Sequence, residues 1–441
     1  MGLQLAFQNW RGNVASPTFT LANLAFAVIA FLTVLALAGC GSNKSVNNAQ
    51  LRILNLTVES GPISVLVDTD STSFQSNIAF KSTTALKEIS PGSRRLRVSN
   101  AGGVILDQTV STLSQQKHLY VVFGGASSLG SVLLNNDIST SGSGSTRVRL
   151  VNMAVGLGTY DFYVTPGLTD YLTVEPLVKN TAATTYELAA GTYTITLTAP
   201  NSKNVLFQVP ARALASQKYY NLALYNIGSG QLPSAFWLAQ DDDSAPEFLT
   251  SPVTRVRAAN SQPGTSTVNV SIGGNRIFTN VPFGGISTYS LASSGAQTIS
   301  YVDTSDTTKT YTLNSTLDGA SDYSTFLAAN TSGPSSVFQV ADRILPATTG
   351  KVRIRLVNAS TVPDLSLALS FTAVTPPVAI RSASNYFEVV GGVGTPVTIT
   401  QGAGAAPVLN LAGTDLAAGG TYSIVVSGVA GTLQITPRQD N

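Results

Sequence analysis

A short segment that occurs four times is the feature that most constrains how this chain folds. In each copy apolar residues alternate with arginine, and an asparagine ends the segment, as in Arg353-Ile354-Arg355-Leu356-Val357-Asn358. Alternation with a period of two is typical of a β-strand with one buried face and one face in water. The segments therefore predict four similar domains, each opening on such a strand. The four asparagines, spaced 97, 108 and 98 residues apart, are Asn55, Asn152, Asn260 and Asn358.

A tyrosine follows each asparagine by 63 to 68 residues. In three copies this tyrosine lies six residues after a leucine, and in the first copy the leucine is Leu113 and the spacing is one residue longer. The pattern resembles a tyrosine corner, in which the phenol packs at the start of a late sandwich strand and bonds nearby backbone. The four tyrosines are Tyr120, Tyr220, Tyr323 and Tyr422.

Each copy holds several short strand patterns separated by Gly, Pro, Asn and Ser, and a helical pattern occurs only near the N-terminus. We therefore predict an all-β chain of four tandem immunoglobulin-like β-sandwich domains after an N-terminal signal or anchor helix. The predicted domains are 51–138, 146–240, 253–342 and 351–437, with linkers at 139–145, 241–252 and 343–350.

An uncharged apolar run ends at Cys40, the only cysteine of the chain. The residues Leu37-Ala38-Gly39-Cys40 resemble the lipobox of bacterial lipoproteins, in which a lipid is attached to the cysteine and the preceding peptide is removed. We predict a signal peptide over 1–39, a tether over 40–50 and a lipid on Cys40 that attaches the protein to a membrane. The alternative is an uncleaved transmembrane helix. Both place the rest of the chain outside the cytoplasm, in the cell envelope, with the outer membrane or cell surface favoured.

The charge balance is nearly even, with 25 basic and 23 acidic residues, and only 11% of the residues are charged. Nucleic-acid binding usually requires clustered Lys and Arg, and no such cluster is present in the sequence. With a single cysteine, no disulfide within the chain is possible. The domains must therefore be stabilised by hydrophobic cores, for which 43% apolar residues are sufficient.

The sequence carries no recognisable catalytic or cofactor motif. Its one histidine, His118, precedes the corner position and is predicted to be an exposed turn residue. No zinc ligand spacing, phosphate-binding loop or nucleophile elbow occurs. We therefore predict no catalytic residues and no cofactor, although a pair of carboxylates distant in sequence remains an open alternative.

Two acidic segments are weak candidates for calcium, because its ligands are carboxylate and carbonyl oxygens. Asp68 and Asp70 lie in a predicted turn, and three aspartates lie in the second predicted linker. Neither segment has the full calcium-loop pattern, so solvated charge is the favoured interpretation and no metal site is predicted. The linker aspartates are Asp241, Asp242 and Asp243.

The repeated arginines have two interpretations. On the wet face of a terminal strand they would discourage edge-to-edge pairing, or together with the loop-end asparagines they would contact acidic glycans. The asparagines are more simply explained by local turns made through their side chains. Trp237 or Tyr160, if exposed, would stack on sugars, but core packing explains them equally well.

Several motifs together resemble a known family. These are the opening strand, the step at Phe283-Gly284, the strand at Ala190-Gly191-Thr192-Tyr193-Thr194 and the leucine–tyrosine spacing. In this order they resemble bacterial "domain of unknown function 4397" repeats, often found in lipoproteins, over residues 50–437. The fourth copy departs from the pattern at Val389-Val390-Gly391-Gly392. The resemblance implies a sandwich fold and an envelope location, and it supplies no established catalytic residues.

These observations favour a non-catalytic, lipid-anchored envelope protein, a spacer or adhesion stalk that presents loops to a protein or glycan partner. The reason is architectural, because repetition multiplies weak contacts through avidity. A periplasmic scaffold for envelope assembly or carbohydrate handling is the alternative. An enzyme with an unmarked acidic site is the third interpretation.

Overall fold

The computed structural model describes residues 48–70, 72–125, 128–135, 141–154, 159–167, 169–177, 183–227, 231–239, 244–402 and 405–441. Residues 48–441 form one compact unit. The predicted signal peptide with its lipobox residues Leu37, Ala38 and Gly39, the lipidation site Cys40 and the acidic residues Asp241, Asp242 and Asp243 lie outside the described residues.

The regular secondary structure of the described residues is almost entirely β-strand, with one 3₁₀ turn at Tyr171–Thr173. Sandwich 1 contains β1 (Ala49–Thr57), β2 (Ile63–Val67), β3 (Gln75–Ile78), β4 (Ser82–Thr83), β5 (Lys87–Ile89), β6 (Gly92–Asn100), β7 (Gly103–Thr112), β8 (Lys117–Gly124) and β9 (Gly130–Asn135). Sandwich 2 contains β10 (Ser145–Asn152), β11 (Asp161–Pro166), β12 (Ala183–Ala189), β13 (Gly191–Thr198), β14 (Val205–Leu214), β15 (Tyr219–Tyr225), β16 (Ser234–Ala239) and β17 (Glu247–Leu249).

The second half of the chain repeats this order. Sandwich 3 contains β18 (Val253–Ser261), β19 (Thr267–Ile272), β20 (Asn275–Pro282), β21 (Ser290–Ser293), β22 (Gly295–Asp303), β23 (Thr310–Leu317), β24 (Asp322–Ala328) and β25 (Ser336–Asp342). Sandwich 4 contains β26 (Lys351–Ser360), β27 (Leu365–Leu369), β28 (Thr372–Ala373), β29 (Ser382–Ala383), β30 (Phe387–Val390), β31 (Gly392–Gln401), β32 (Pro407–Leu416), β33 (Thr421–Gly428) and β34 (Gln434–Gln439).

The described strands form eight sheets, two in each sandwich. The sheet that contains the arginine-bearing first strand is called the inner sheet, and the facing sheet is called the outer sheet. In every inner sheet the first strand lies between two neighbours, and one of these pairings is parallel. The parallel pairs are β1 with β8, β10 with β15, β18 with β24 and β26 with β33.

Each sandwich has its own hydrophobic core between its two sheets. The alternation of the first strand supplies one side of this core, as Val256 and Ala258 do in sandwich 3. Burying such side chains stabilises the fold by about 25 cal/mol per Å² of apolar surface. The all-β sandwich architecture predicted from the repeats is therefore the architecture of the molecule.

The other face of each inner sheet is also covered, because the sandwiches pack in pairs. A second apolar cluster joins the inner sheets of sandwiches 1 and 2, and another joins those of sandwiches 3 and 4. The prediction of a terminal strand is therefore wrong, and the predicted water-facing row is wrong for Arg52, Arg257, Arg353 and Arg355, which are buried, whereas Arg147, Arg149 and Arg255 are half-buried. Arg257 and Arg355 are only 1% and 2% exposed, since their strands are internal to the sheet and both faces are buried.

One predicted linker contains a strand. β17 falls within the segment 241–252 and pairs antiparallel with β16, so it extends the inner sheet of sandwich 2. Its Phe248 packs against the cluster between sandwiches 1 and 2, in edge contact with Phe236. The connection between the two halves of the chain is thus partly built into the sheet.

The asparagines that end the first strands connect the two sheets of a sandwich. In all four copies the side-chain Oδ1 accepts a hydrogen bond from the backbone N–H two residues later. The amides of Asn55, Asn260 and Asn358 also donate to a carbonyl on the outer-sheet side, at Ile78, Val281 and Val378. These three side chains are fully buried, so they cannot contact a glycan.

Three of the predicted tyrosines make the same bond. The hydroxyl oxygens of Tyr220, Tyr323 and Tyr422 accept from the backbone N–H five residues earlier, at 3.2, 3.1 and 2.9 Å. The residues that pair with them in register are Val148, Val256 and Ile354.

The corner of sandwich 1 is made by His118, and not by Tyr120. His118 pairs with Leu51 of the first strand, and its Nε2 accepts from the N–H of Leu113, five residues earlier, at 3.0 Å. It is 1% exposed, so the prediction of an exposed turn residue is also wrong. Tyr120 instead lies two residues further along β8, in the sandwich core. Leu113, the leucine of the predicted spacing in the first copy, is exposed. Thr112, six residues before His118, occupies the buried position that a leucine has in the other copies.

We expect Asn358→Ala to lower the free energy of unfolding by about 1–3 kcal/mol, because it leaves the buried Val378 carbonyl and Ser360 N–H without this partner. Denaturant unfolding of residues 48–441 measures the change. Asn152→Ala is the matched control, since Asn152 is only half-buried and water can replace the lost bonds. Equal losses in the two variants would contradict the sheet-connecting role.

Candidate functional site

The most concentrated group of ionisable side chains among the described residues lies between the inner sheets of sandwiches 3 and 4. It is called the buried clamp. Each sandwich contributes an arginine from its first strand, a serine from the strand paired in parallel with it, an aspartate and a tyrosine. The members are Arg257, Ser324, Asp342 and Tyr289 from sandwich 3, and Arg355, Ser423, Asp440 and Tyr386 from sandwich 4.

Within sandwich 3 the clamp is a chain of hydrogen bonds that converges on one carboxylate oxygen. Arg257 Nε donates to Ser324 Oγ at 2.6 Å, and Ser324 Oγ donates to Asp342 Oδ2 at 2.6 Å. The hydroxyl of Tyr289 donates to the same oxygen at 2.6 Å. The strand register produces this chain, because Arg257 and Ser324 are direct partners across β18 and β24.

Sandwich 4 repeats the arrangement. Arg355 Nε donates to Ser423 Oγ at 2.9 Å, and Ser423 Oγ donates to Asp440 Oδ2 at 2.8 Å. The hydroxyl of Tyr386 donates to the same oxygen, also at 2.8 Å. The two halves are therefore alike in chemistry and in register.

The second oxygen of each aspartate reaches across to the other sandwich. Arg355 Nη2 donates to Asp342 Oδ1, and Arg257 Nη2 lies 2.6 Å from Asp440 Oδ1. The centre of each guanidinium lies over the tyrosine ring of its own sandwich, at 4.8 Å for Arg257 and 4.6 Å for Arg355. The exchange is reciprocal, as in the contact of two subunits related by a twofold axis.

The electrostatics of the clamp keep its charges in place. Burial alone would raise the pKa of the Asp342 carboxyl, but the adjacent Arg355 and Arg257 outweigh it and hold that pKa below the usual 3.8. Burial raises the pKa of Tyr289 and Tyr386 well above their usual range. The phenols therefore remain protonated and keep donating to the carboxylates at neutral pH.

The clamp has the geometry of a structural contact. Its aspartates and arginines are almost completely buried, and both Oδ2 atoms accept two hydrogen bonds. A general acid or base must reach a substrate proton, and these side chains point at one another. The arrangement therefore fixes the position of one sandwich against the next.

The clamp aspartates share a spacing in the sequence that is not part of the predicted motifs. Asp342 and Asp440 both follow the asparagine of their own copy by 82 residues. At the positions of Ser324 and Ser423, sandwiches 1 and 2 have Leu119 and Asn221 in register with their arginines. Their interface is mainly apolar, and it includes Leu54, Val121 and Phe236.

The remaining sequence candidates have structural positions. The Asp68 carboxylate accepts hydrogen bonds from the backbone N–H of Arg95 at 3.0 Å and from the Arg94 guanidinium at 3.1 Å. These bonds lower the pKa of Asp68, and its carboxylate is thus engaged by the two arginines. Tyr160 and Trp237 lie in the core of sandwich 2. Across the parts of the chain that the structure describes, no group of three or more His, Cys, Asp or Glu side chains is placed to hold a metal ion.

A second candidate site is an exposed patch at one end of sandwich 4, called the apolar tip. Its residues are Phe371, Val390 and Val393, which are 83%, 76% and 90% exposed. The strand register places them at the same end of the sandwich. The turn that carries Phe371 bonds to the middle of β31 through Ser370 N–H and Pro396 O at 3.0 Å, and Val390 and Val393 lie at the end of β30 and near the start of β31.

The backbone at Phe371 is strained. Ser370 and Phe371 form the two-residue turn between β27 and β28, with φ values of 46° and 67°. Positive φ costs an L-residue about 1–2 kcal/mol, and a bulky residue there is an outlier. The corresponding turn of sandwich 3 is Gly273-Gly274, which adopts positive φ without this cost. An exposed aromatic ring held at this cost marks a functional candidate.

For the clamp, we expect Asp342→Asn to lower the free energy of unfolding by about 3–5 kcal/mol at pH 7, because Arg355 loses its buried counter-charge. The folded pKa of Asp342 lies below its unfolded value, so this contribution is complete above about pH 4 and is lost as the pH falls through the folded pKa. Denaturant unfolding at pH 7 and at about pH 3 should therefore show the wild-type advantage shrinking in acid.

The matched control is Asp107→Asn, which removes an exposed carboxylate paired with Arg95 on the surface of sandwich 1. Exposed pairs contribute little to stability, so this variant should unfold nearly as the wild type at both pH values. An Asp342→Asn protein as stable as the wild type at pH 7 would contradict the role of the clamp.

Two of the solved structures that are similar to this chain are distant from it in sequence. The Bacillus anthracis TIE protein is 11% identical, with a TM-score of 0.15, over 62% of this chain and 49% of that chain. This chain thus spans about half the length of that protein. The major pilin subunit of Bacillus cereus is 9% identical, with a TM-score of 0.14, over 64% of this chain and 99% of that chain. No curated protein sequence matches this chain.

In the part of the chain that the structure describes, no helix has the length and apolar character needed to cross a bilayer. A family model described as a domain of unknown function, DUF4397, matches residues 49–163 and 254–368. Each match covers one whole sandwich and continues into the second strand of the next. The two matches together span just over half of the 441 residues. The chain therefore belongs to the DUF4397 family, with that domain in tandem.

Proposed function

We propose that this protein is a non-catalytic component of the bacterial cell envelope, attached to a membrane through lipid on Cys40, which holds a contact surface away from the bilayer. The apolar tip of sandwich 4 is that surface, and its partner is another envelope protein. The observation that carries this proposal is Phe371, a solvent-exposed aromatic residue in a strained turn.

The packing of the sandwiches supports a spacer role. Two interfaces, one apolar and one built around the buried clamp, join the four sandwiches into two pairs. The pairs contact each other as well, since Arg353 of sandwich 4 forms an ion pair with Glu59 of sandwich 1 at 2.9 Å. A chain packed in this way presents its loops at a fixed distance, which a flexible string of domains would not do.

The chemistry of the tip favours a protein partner over a glycan. Two of its three side chains are branched aliphatic groups, and exposed apolar patches mark protein–protein contacts. Aromatic residues are also enriched among the side chains that dominate binding energy. A sugar would also need polar groups placed around the aromatic ring, and the three side chains of the tip are all apolar.

A periplasm-facing scaffold is the second candidate, and an enzyme with an acidic site is the third. The spacer is preferred to an enzyme because the buried aspartates of sandwiches 3 and 4 are engaged by arginine, serine and tyrosine. External protease on intact cells separates the first two, since only a surface-facing protein is cleaved.

The anchor is tested by mass spectrometry of the protein purified from membranes. We expect a mature N-terminus at Cys40 that carries a diacylglycerol thioether, and a Cys40→Ser variant that keeps its leader and loses the lipid. Each buried methylene contributes about 0.8 kcal/mol to membrane attachment, so the lipidated protein should stay with the membrane after a salt wash. An unmodified Cys40 thiol would overturn the anchor.

The contact surface is tested with Phe371→Gly in residues 48–441. Glycine removes the strain, so we expect the free energy of unfolding to rise by about 1 kcal/mol. Binding to an array of envelope proteins should nevertheless fall by at least about tenfold, which corresponds to about 1.4 kcal/mol.

The matched control is Val104→Ser, which removes an exposed apolar side chain from the β6–β7 hairpin of sandwich 1. Its binding should be unchanged. If Phe371→Gly binds the same array proteins as tightly as the wild type, the tip is not the contact surface. If the wild type binds glycans and no envelope protein, the partner of the tip is a glycan and not a protein.

A further inference from the structure

In the part of the chain that the structure describes, the outer sheet of each sandwich ends in a long strand that pairs with another strand on one side only. These strands are β7, β14, β23 and β32. A free edge presents unpaired N–H and C=O groups that pair readily with a strand of another chain. Natural proteins therefore protect such edges with proline, bulges or charges.

Three of the four edges carry such protection. β14 contains Pro210, and Ala211 beside it has a left-handed φ of 53°. β32 begins at Pro407, contains Gly413 at a φ of 78°, and shifts register against β31 three times. β7 carries Asp107, which forms an ion pair with Arg95 of β6.

The remaining edge, β23, has none of these features. Its sequence, TYTLNSTL, contains no charge, no proline and no glycine. All eight residues pair with β22 in unbroken antiparallel register. Among the described residues no other strand pairs with it. One face of the strand is exposed along its length, at Thr310, Thr312, Asn314 and Thr316.

We propose that β23 is a self-association edge, at which a second copy of this chain adds its own β23 in antiparallel orientation. The two outer sheets would then join into one continuous sheet, as in other cases of β-strand addition. Tyr311 and Leu313, which are only half-buried in one copy, would gain cover from the same residues of the other copy.

Charge selects a second copy as the occupant. Lys309 immediately precedes β23 and Asp318 immediately follows it, and both are exposed. Antiparallel pairing about a twofold axis brings the Lys309 end of one strand beside the Asp318 end of the other. Between these ends the strand is uncharged, so no like charges face each other along the paired strands. A twofold contact of this kind is self-complementary and closed.

The test uses residues 48–441, the compact unit that contains all described strands. Sedimentation equilibrium over a wide concentration range should show a monomer–dimer equilibrium for the wild type. The double variant Thr312→Lys, Asn314→Lys places two positive charges on the edge of each copy, and it should weaken dimerisation at least about tenfold.

The matched control is the double variant Thr298→Lys, Ser300→Lys. These residues lie directly opposite Asn314 and Thr312 on β22, one strand away from the edge. The control adds the same charge to the same sheet, so it reports any general effect of charge or folding and should dimerise nearly as the wild type. Circular dichroism of both variants checks that the sandwiches remain folded.

The pairing register gives a second readout. The only cysteine of the chain is Cys40, so residues 48–441 contain none. In an antiparallel pair the residue on the twofold axis faces its own copy, and Leu313→Cys or Asn314→Cys should then oxidise to an intermolecular disulfide.

A wild type that stays monomeric at every concentration would overturn the proposal. A dimer that the edge lysines do not weaken would overturn it as well, because the interface would then lie elsewhere. Neither result bears on the apolar tip, which is in sandwich 4 and is tested by binding to other proteins.

Discussion

The inner sheets of neighbouring sandwiches pack against each other, and this packing buries the arginines of the first strands in sandwiches 3 and 4. In an isolated sandwich, the first strand would be buried on its core side and its arginines would face water. Here the neighbouring sandwich covers the arginine side as well. Removing two arginines and two aspartates from water costs several kcal/mol per ion, and this cost is offset only when every charge finds a well-placed partner. The Asp342 side of the clamp meets this condition through serine, tyrosine and Arg355. On the Asp440 side, Arg257 Nη2 and Asp440 Oδ1 form an ion pair at 2.6 Å without a hydrogen bond.

The two interfaces solve the same packing problem in different ways. Sandwiches 1 and 2 meet through aliphatic and aromatic side chains, which are tolerant of small shifts in position. Sandwiches 3 and 4 meet through directional bonds, which have one good arrangement. We infer that the clamp contributes more to the precision of the contact than to its net stability, because buried ion pairs seldom stabilise more than well-packed apolar residues.

The segments matched by the family model agree with this view of the building block. Each segment starts at the first strand of a sandwich, β1 or β18, and includes the first strand of the next sandwich, β10 or β26. In these strands, the face that points away from the sandwich's own core lies at the interface with the paired sandwich. Each matched segment therefore contains one side of the contact and the first strand of the other side, while the rest of the second sandwich lies beyond the match.

The fold class follows from the sequence, because alternating residues, turn residues and a period near 100 residues are local properties of the chain. The sequence also identified the family and the asparagines. Tertiary structure alone decided which residues are buried by neighbouring domains. Arginine alternating with valine has the same pattern whether its far face meets water or another sheet, and only packing showed that Arg257 and Arg355 face Asp440 and Asp342. His118 occupies the corner position of sandwich 1 because the strand register, and not the spacing from a leucine, determines which residue lies there.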